Sequence, residues 1–104
     1  MSLIIVTTTL PSREAAEVIA TQLVEEGLAA CVQVLGPIES TYRWDGTIER
    51  AKEWYCHCKA PAEQQDELMA RIKALHPYEI SEILAVRADA VDPEYLAWAR
   101  KSSE

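Results

Sequence analysis

A chain of 104 residues, 49% of them apolar, carries enough hydrophobic material for one core and too little length for two. Its formal charge of -7 and pI near 4.8 set the average field against nucleic acid and anionic membranes and in favour of cations. No apolar run approaches the roughly 20 residues that span a bilayer, and no basic segment leads into an apolar run at the start, so a soluble, cytoplasmic single domain over residues 1–104 is expected. Three cysteines, with Cys56 and Cys58 one residue apart, suit reduced thiols better than a disulfide framework.

Residues 4–9, Ile-Ile-Val-Thr-Thr-Thr, form an uncharged β-branched run, the pattern of a strand covered on both faces in the middle of a sheet. Pro11 and Ser12 stop it. Ala16, Ile19, Ala20, Leu23 and Val24 then recur at helical spacing until Gly27 provides a left-handed cap, predicting a helix over 12–26.

Two strand-like runs, 29–44 and 47–60, flank Asp45-Gly46, a dipeptide that tolerates the positive φ angles of a tight hairpin turn. Each arm, of roughly 14 residues, spans about 45 Å, whereas a compact chain of this size is about 35 Å across. The hairpin must therefore overhang its own domain. A tip carrying Tyr42, Trp44 and Ile48 in water needs another chain to cover it, which predicts an obligate oligomer. Straight pairing back from the turn sets apolar positions against polar ones, and one extra residue at Gly36-Pro37 corrects the register. Val32 and Val34 then share the buried face with Cys56 and Cys58, while Cys31 and Gln33 share the opposite face with His57 and Lys59.

Pro61 suits the first position of a second helix, whose stripe of Leu68, Met69, Ile72 and Leu75 ends at His76-Pro77. Residues 80–86 read as a short apolar strand. Asp92-Pro93-Glu94 combines an N-cap, a first-turn proline and a favourable acid, opening a terminal helix through Tyr95, Leu96 and Trp98. The order βαββαβ plus a C-terminal helix, with right-handed crossovers, predicts an α+β, ferredoxin-like fold: a four-stranded antiparallel sheet with helices on one face and a long β-hairpin.

Chemistry concentrates at His76-Pro77-Tyr78-Glu79. His76 stands at a helix C-terminus, where carbonyls favour a cation and Glu79 and Glu82 follow closely, so it is the candidate metal ligand. Cys31, on one face with His57, is a second candidate of a kind that suits copper. A closed zinc site is not spelled out, since the Cys56-His57-Cys58 thiols face the core. No phosphate-binding glycine loop, nucleophile elbow or His-Glu-x-x-His motif is present, so no enzymatic activity and no required cofactor are expected. Tyr42-Arg43-Trp44 reads as a self-association surface, and Tyr78 beside His76 and Glu79 suits a cleft between subunits.

Four blocks, Leu23 through Val32, Tyr42-Arg43-Trp44-Asp45-Gly46, His76-Pro77-Tyr78-Glu79 with Glu82-Ile83, and Tyr95-Leu96-Ala97-Trp98, closely resemble the CutA family of divalent-cation tolerance proteins. The resemblance implies a ferredoxin-like homotrimer whose hairpins pair between subunits. It also implies a cytoplasmic role in tolerance of copper, as Cu(II), and other divalent cations. Relatives proposed to bind copper use a first-strand cysteine and histidines at the end of the second helix. Thr8 and Leu75 depart from that pattern; His76 carries over, and Cys31 matches the Leu-Ala-Ala-Cys block. Similarity of the family architecture to trimeric PII signalling proteins implies an alternative, a small ligand held at a subunit boundary by Arg43, Trp44, His76, Tyr78 and Glu79. A trimeric scaffold for a protein partner is the third reading.

Overall fold

The computed structural model describes residues 2–102; Met1, Ser103 and Glu104, the ends of the expected single domain, lie outside the described residues. Along the chain run β1 (Leu3–Leu10), α1 (Arg13–Glu25), β2 (Cys31–Trp44), β3 (Thr47–Pro61), α2 (Gln65–Leu75), β4 (Ile83–Arg87) and α3 (Pro93–Ser102). The strands form one antiparallel sheet in the order β2-β3-β1-β4, the expected ferredoxin-like topology.

The local signals act through identifiable bonds. Ser12 caps α1 by accepting a 3.0 Å hydrogen bond from the Ala15 amide. At the other end Gly27, at φ 73°, lets the Leu28 amide reach the Leu23 carbonyl and its own amide reach Val24, which satisfies carbonyls the helix would otherwise orphan. Asp92 caps α3 by accepting from the Tyr95 amide at 3.1 Å. Asp45 and Gly46, at φ 49° and 77°, make the hairpin turn.

The register across the sheet explains the two faces. Val32, Cys58, Val6 and Ala85 form one row, and Val34, Cys56, Thr8 and Ile83 the next; both point toward α1 and α2. There Ile4, Val6, Leu10, Leu23, Leu68 and Ile72 are fully buried, each contributing about 1.5–3 kcal/mol of burial. On the other face run the rows Cys31, Lys59, Ile5, Val86 and Gln33, His57, Thr7, Leu84. Leu35, Leu84 and Val86 remain more than half exposed there.

Four expectations change. β1 is interior to the sheet as predicted, but Ile5 and Thr7 are only half-buried, so its second face is covered incompletely within the subunit. The helices do not all share one face: α3 buries Ala99 with Leu3 and Ala30, and Leu3 alternates with Ile4 onto the second face. Pro61 ends β3 opposite Leu3 and does not open a helix; a ladder's last position tolerates the missing N–H, and the Ala62 amide still reaches the Ser2 carbonyl at 2.9 Å. A 3-10 turn over Ala62–Gln64 precedes α2. Finally, β4 begins at Ile83, not at residue 80, because its ladder with β1 starts where Thr8 meets Ile83.

The hairpin geometry follows the sequence reading closely. The register slips between Leu35 and Ile38, so Gly36 and Pro37 together oppose Trp54. Gly36 is required by contact: a Cβ there would lie 2.5 Å from Cδ1 of Trp54. Every residue from Thr41 to Arg50 is exposed, and the chain measures 45 × 26 × 22 Å. The tip does overhang.

Candidate functional site

Proline 77 determines how the motif is presented. The residue before a proline is disfavoured in helical geometry, and His76 turns extended at φ -72°, ψ 135°, ending α2. Its ring thereby swings back against the end of β1. Nε2 lies 2.9 Å from the Thr9 carbonyl oxygen and 3.0 Å from Oγ1 of Thr8, while Nδ1 accepts the Tyr78 amide at 3.1 Å. Burial lowers the His76 pKa from its ordinary value, partly opposed by the Thr9 carbonyl and the Glu53 carboxylate.

Tyr78 continues the chain of contacts. Its ring lies 4.9 Å from the imidazole at a tilt of 47°, and its hydroxyl donates to Oε2 of Glu53 at 2.9 Å. Burial and the bond to that carboxylate both raise the phenol pKa. Glu53 is itself buried, at 8% exposure, on β3 opposite Ile38. Next to it, Nε1 of Trp54 is buried with no hydrogen-bond partner among the described residues.

The other candidates are distributed. Cys31 is half-buried in the row with Lys59, Ile5 and Val86. His57 belongs to the adjacent row, 3.2 Å from Oγ1 of Thr7 and stacked 5.1 Å from the Tyr55 ring. Cys56 and Cys58 face the helices, where burial pushes their thiols up to about 11 and about 12. Cys-His-Cys is thus split between the two faces, as its strand spacing requires. Arg43 and Trp44 stand exposed at the hairpin tip, and no hydrogen bond, ion pair or ring contact among the described residues joins them to Tyr78 or Glu79. Glu79 is exposed on the rim of a shallow groove of about 430 Å³ lined also by Met69, Lys73, Ile80 and Ile83.

Within one subunit the structure therefore joins His76 and Tyr78 and leaves Cys31, Arg43 and Trp44 apart from them. Among the described residues, no three or more His, Cys, Asp and Glu side chains gather closely enough to hold a metal ion. The lone pair His76 would offer is already engaged by the Tyr78 amide. The sequence reading missed Thr9 and Glu53 as partners of the motif. Neither lies near it in the chain: the bonds span 67 and 25 positions. Only the register places them together, and Glu53 had one legible cue, an acid within the otherwise half-buried hairpin base.

A ferredoxin-like fold with an overhanging hairpin and a histidine-tyrosine turn against its first strand defines a class of small α+β proteins. The profile of the family described as CutA1 divalent ion tolerance protein matches residues 4–102. A divalent-cation tolerance protein CutA of Thermus thermophilus is 40% identical over 99 residues, covering 95% of this chain and 96% of the relative. One from Thermotoga maritima is 37% identical over 100 residues, with coverage of 96% and 98%. A crystal structure of CutA from Xylella fastidiosa superposes with a TM-score of 0.96 at 38% identity over 100% of both chains. The chain belongs to the CutA1 divalent ion tolerance family.

Proposed function

We propose that this protein works in tolerance of divalent cations as a non-enzymatic cytoplasmic homotrimer, without a resident cofactor. Family membership over residues 4–102 carries the tolerance role. The homotrimer reading is supported by the ten exposed residues of the hairpin tip, with Tyr42, Trp44 and Ile48 among them, and by Leu35, Leu84 and Val86 on the uncovered sheet face. Exposed apolar side chains gathered in this way suit a surface that another chain covers. Copper or another divalent cation is attracted by the excess of acidic groups and is held weakly at the surface. Three free cysteines suit a reducing compartment.

Light scattering at micromolar concentration tests the assembly: the expected mass is three times 11.6 kDa, and a single-subunit mass rejects it. Calorimetric titration with Cu(II) and Zn(II) tests the cation, with weak binding expected and none rejecting direct contact. The groove beside Glu79 favours a second reading, a small ligand held where a neighbouring hairpin meets it. A saturable rise in melting temperature with a metabolite, metals chelated, would establish that reading.

A further inference from the structure

The bonds around His76 admit one protonation state. A carbonyl oxygen has no proton to give, so the 2.9 Å contact with Thr9 requires hydrogen on Nε2. The Tyr78 amide is a donor, so the 3.1 Å contact requires a bare Nδ1. Only the neutral Nε2–H tautomer satisfies both, and Oγ1 of the fully buried Thr8 accepts from the same hydrogen or turns its own hydroxyl elsewhere. One imidazole thus ties the end of β1 to the turn that follows α2, and Tyr78 passes that tie on to Glu53 of β3.

A metal ion competes with this arrangement at either nitrogen. At Nδ1 it displaces the Tyr78 amide, leaving that donor without its acceptor; at Nε2 it displaces the proton held by Thr9. Neither Thr8 nor Thr9 supplies the carboxylate, thiolate or imidazole partners that would compensate.

We infer that His76 is a positioning residue, a tautomer-locked latch that fastens the 76–78 turn to β1 and delivers Tyr78 to Glu53, and that it is not a ligand for divalent cations. The inference concerns a single subunit, so it stands or falls separately from the trimer and from weak cation binding at the surface.

Nitrogen-15 spectra of the intact labelled protein, correlating ring nitrogens with carbon-bound protons at neutral pH, test it directly. The expected result is the neutral Nε2–H tautomer for His76, unchanged as Zn(II) is added in excess. The Nδ1–H tautomer, or His76 ring signals that move saturably with Zn(II), would overturn it. Hydrogen exchange at the Tyr78 amide provides the second measurement. His76→Ala should speed it about tenfold, and His76→Asn, whose carbonyl can accept near the Nδ1 place, should recover part of the protection. Equal exchange in wild type and His76→Ala would refute the latch. If His76→Ala fails to fold, the wild-type spectra decide alone.

Discussion

The base and the tip of the hairpin are made of the same strands and meet different fates. At the base, Cys56, Cys58 and Ala60 are fully buried between β1 and the helices. At the tip, residues 41–50 are exposed without exception, although their ladder continues in perfect register from Ser40↔Ala51 to Trp44↔Thr47. Backbone pairing is therefore common to both ends, and only side-chain burial separates them. Since an isolated two-stranded ribbon is marginal in water, the base is self-sufficient and the tip depends on what it meets.

That contrast can be broken most forcefully from the helix side. Ile72→Ala, at a site with no exposure, should cost about 2–5 kcal/mol in urea denaturation, because the packed layer beneath the base cannot collapse around the cavity. Gly36→Ala attacks the boundary between base and tip. With Trp54 side-chain atoms 2.5 and 2.8 Å from the new Cβ, it should cost about 1–3 kcal/mol, and a smaller loss would mean that the indole moves freely. Tyr78→Phe removes the hydroxyl that serves the buried Glu53 carboxylate and should cost about 1–3 kcal/mol, read from the same denaturation curves. The paired change Trp44→Ala and Ile48→Ala should alter the intrinsic stability of the single chain by less than about 0.5 kcal/mol and, given the proposed homotrimer, should abolish the trimeric mass in light scattering. A large loss of subunit stability with the mass unchanged would reverse the distinction between base and tip.

Acid offers the gentlest probe. His76 has a lowered folded-state pKa, so the unfolded chain binds more protons than the folded one between that value and the ordinary 6.5. Its contribution to stability is complete above about 6.5 and declines as pH falls below it. Denaturation midpoints at pH 7.5 and 5 should differ less in His76→Asn than in wild type, the difference between the two proteins separating this residue from the other titrating groups.

Much of this was legible in the chain because it rests on local or strictly periodic rules. Ser12, Gly27, Asp92 and the Asp45-Gly46 turn each act within a few residues, and the Gly36-Pro37 bulge followed from asking which register keeps apolar rows together. Pro61 misled because the first helical position and the last ladder position both accept a residue without an N–H. The site was half legible. His76 and Tyr78 announced themselves by type and by their place at the end of a helix, yet their partners Thr8, Thr9 and Glu53 come from other strands, which no local pattern brings together. Cys31 was chosen for the strand face it shares with His57, and Arg43 and Trp44 for their place at the hairpin tip; within one chain the fold sets all three apart from Tyr78.

Sheet order also dictates a schedule for a chain emerging from synthesis. β3 lies between β1 and β2, and both of its neighbours precede it in the chain. Cys56 and Cys58 therefore arrive when the strands and the first helix that will enclose them already exist, and the two thiols need wait only for α2 to be shut away. The last strand to join the sheet is β4, five residues at the far edge, and only α3 follows it.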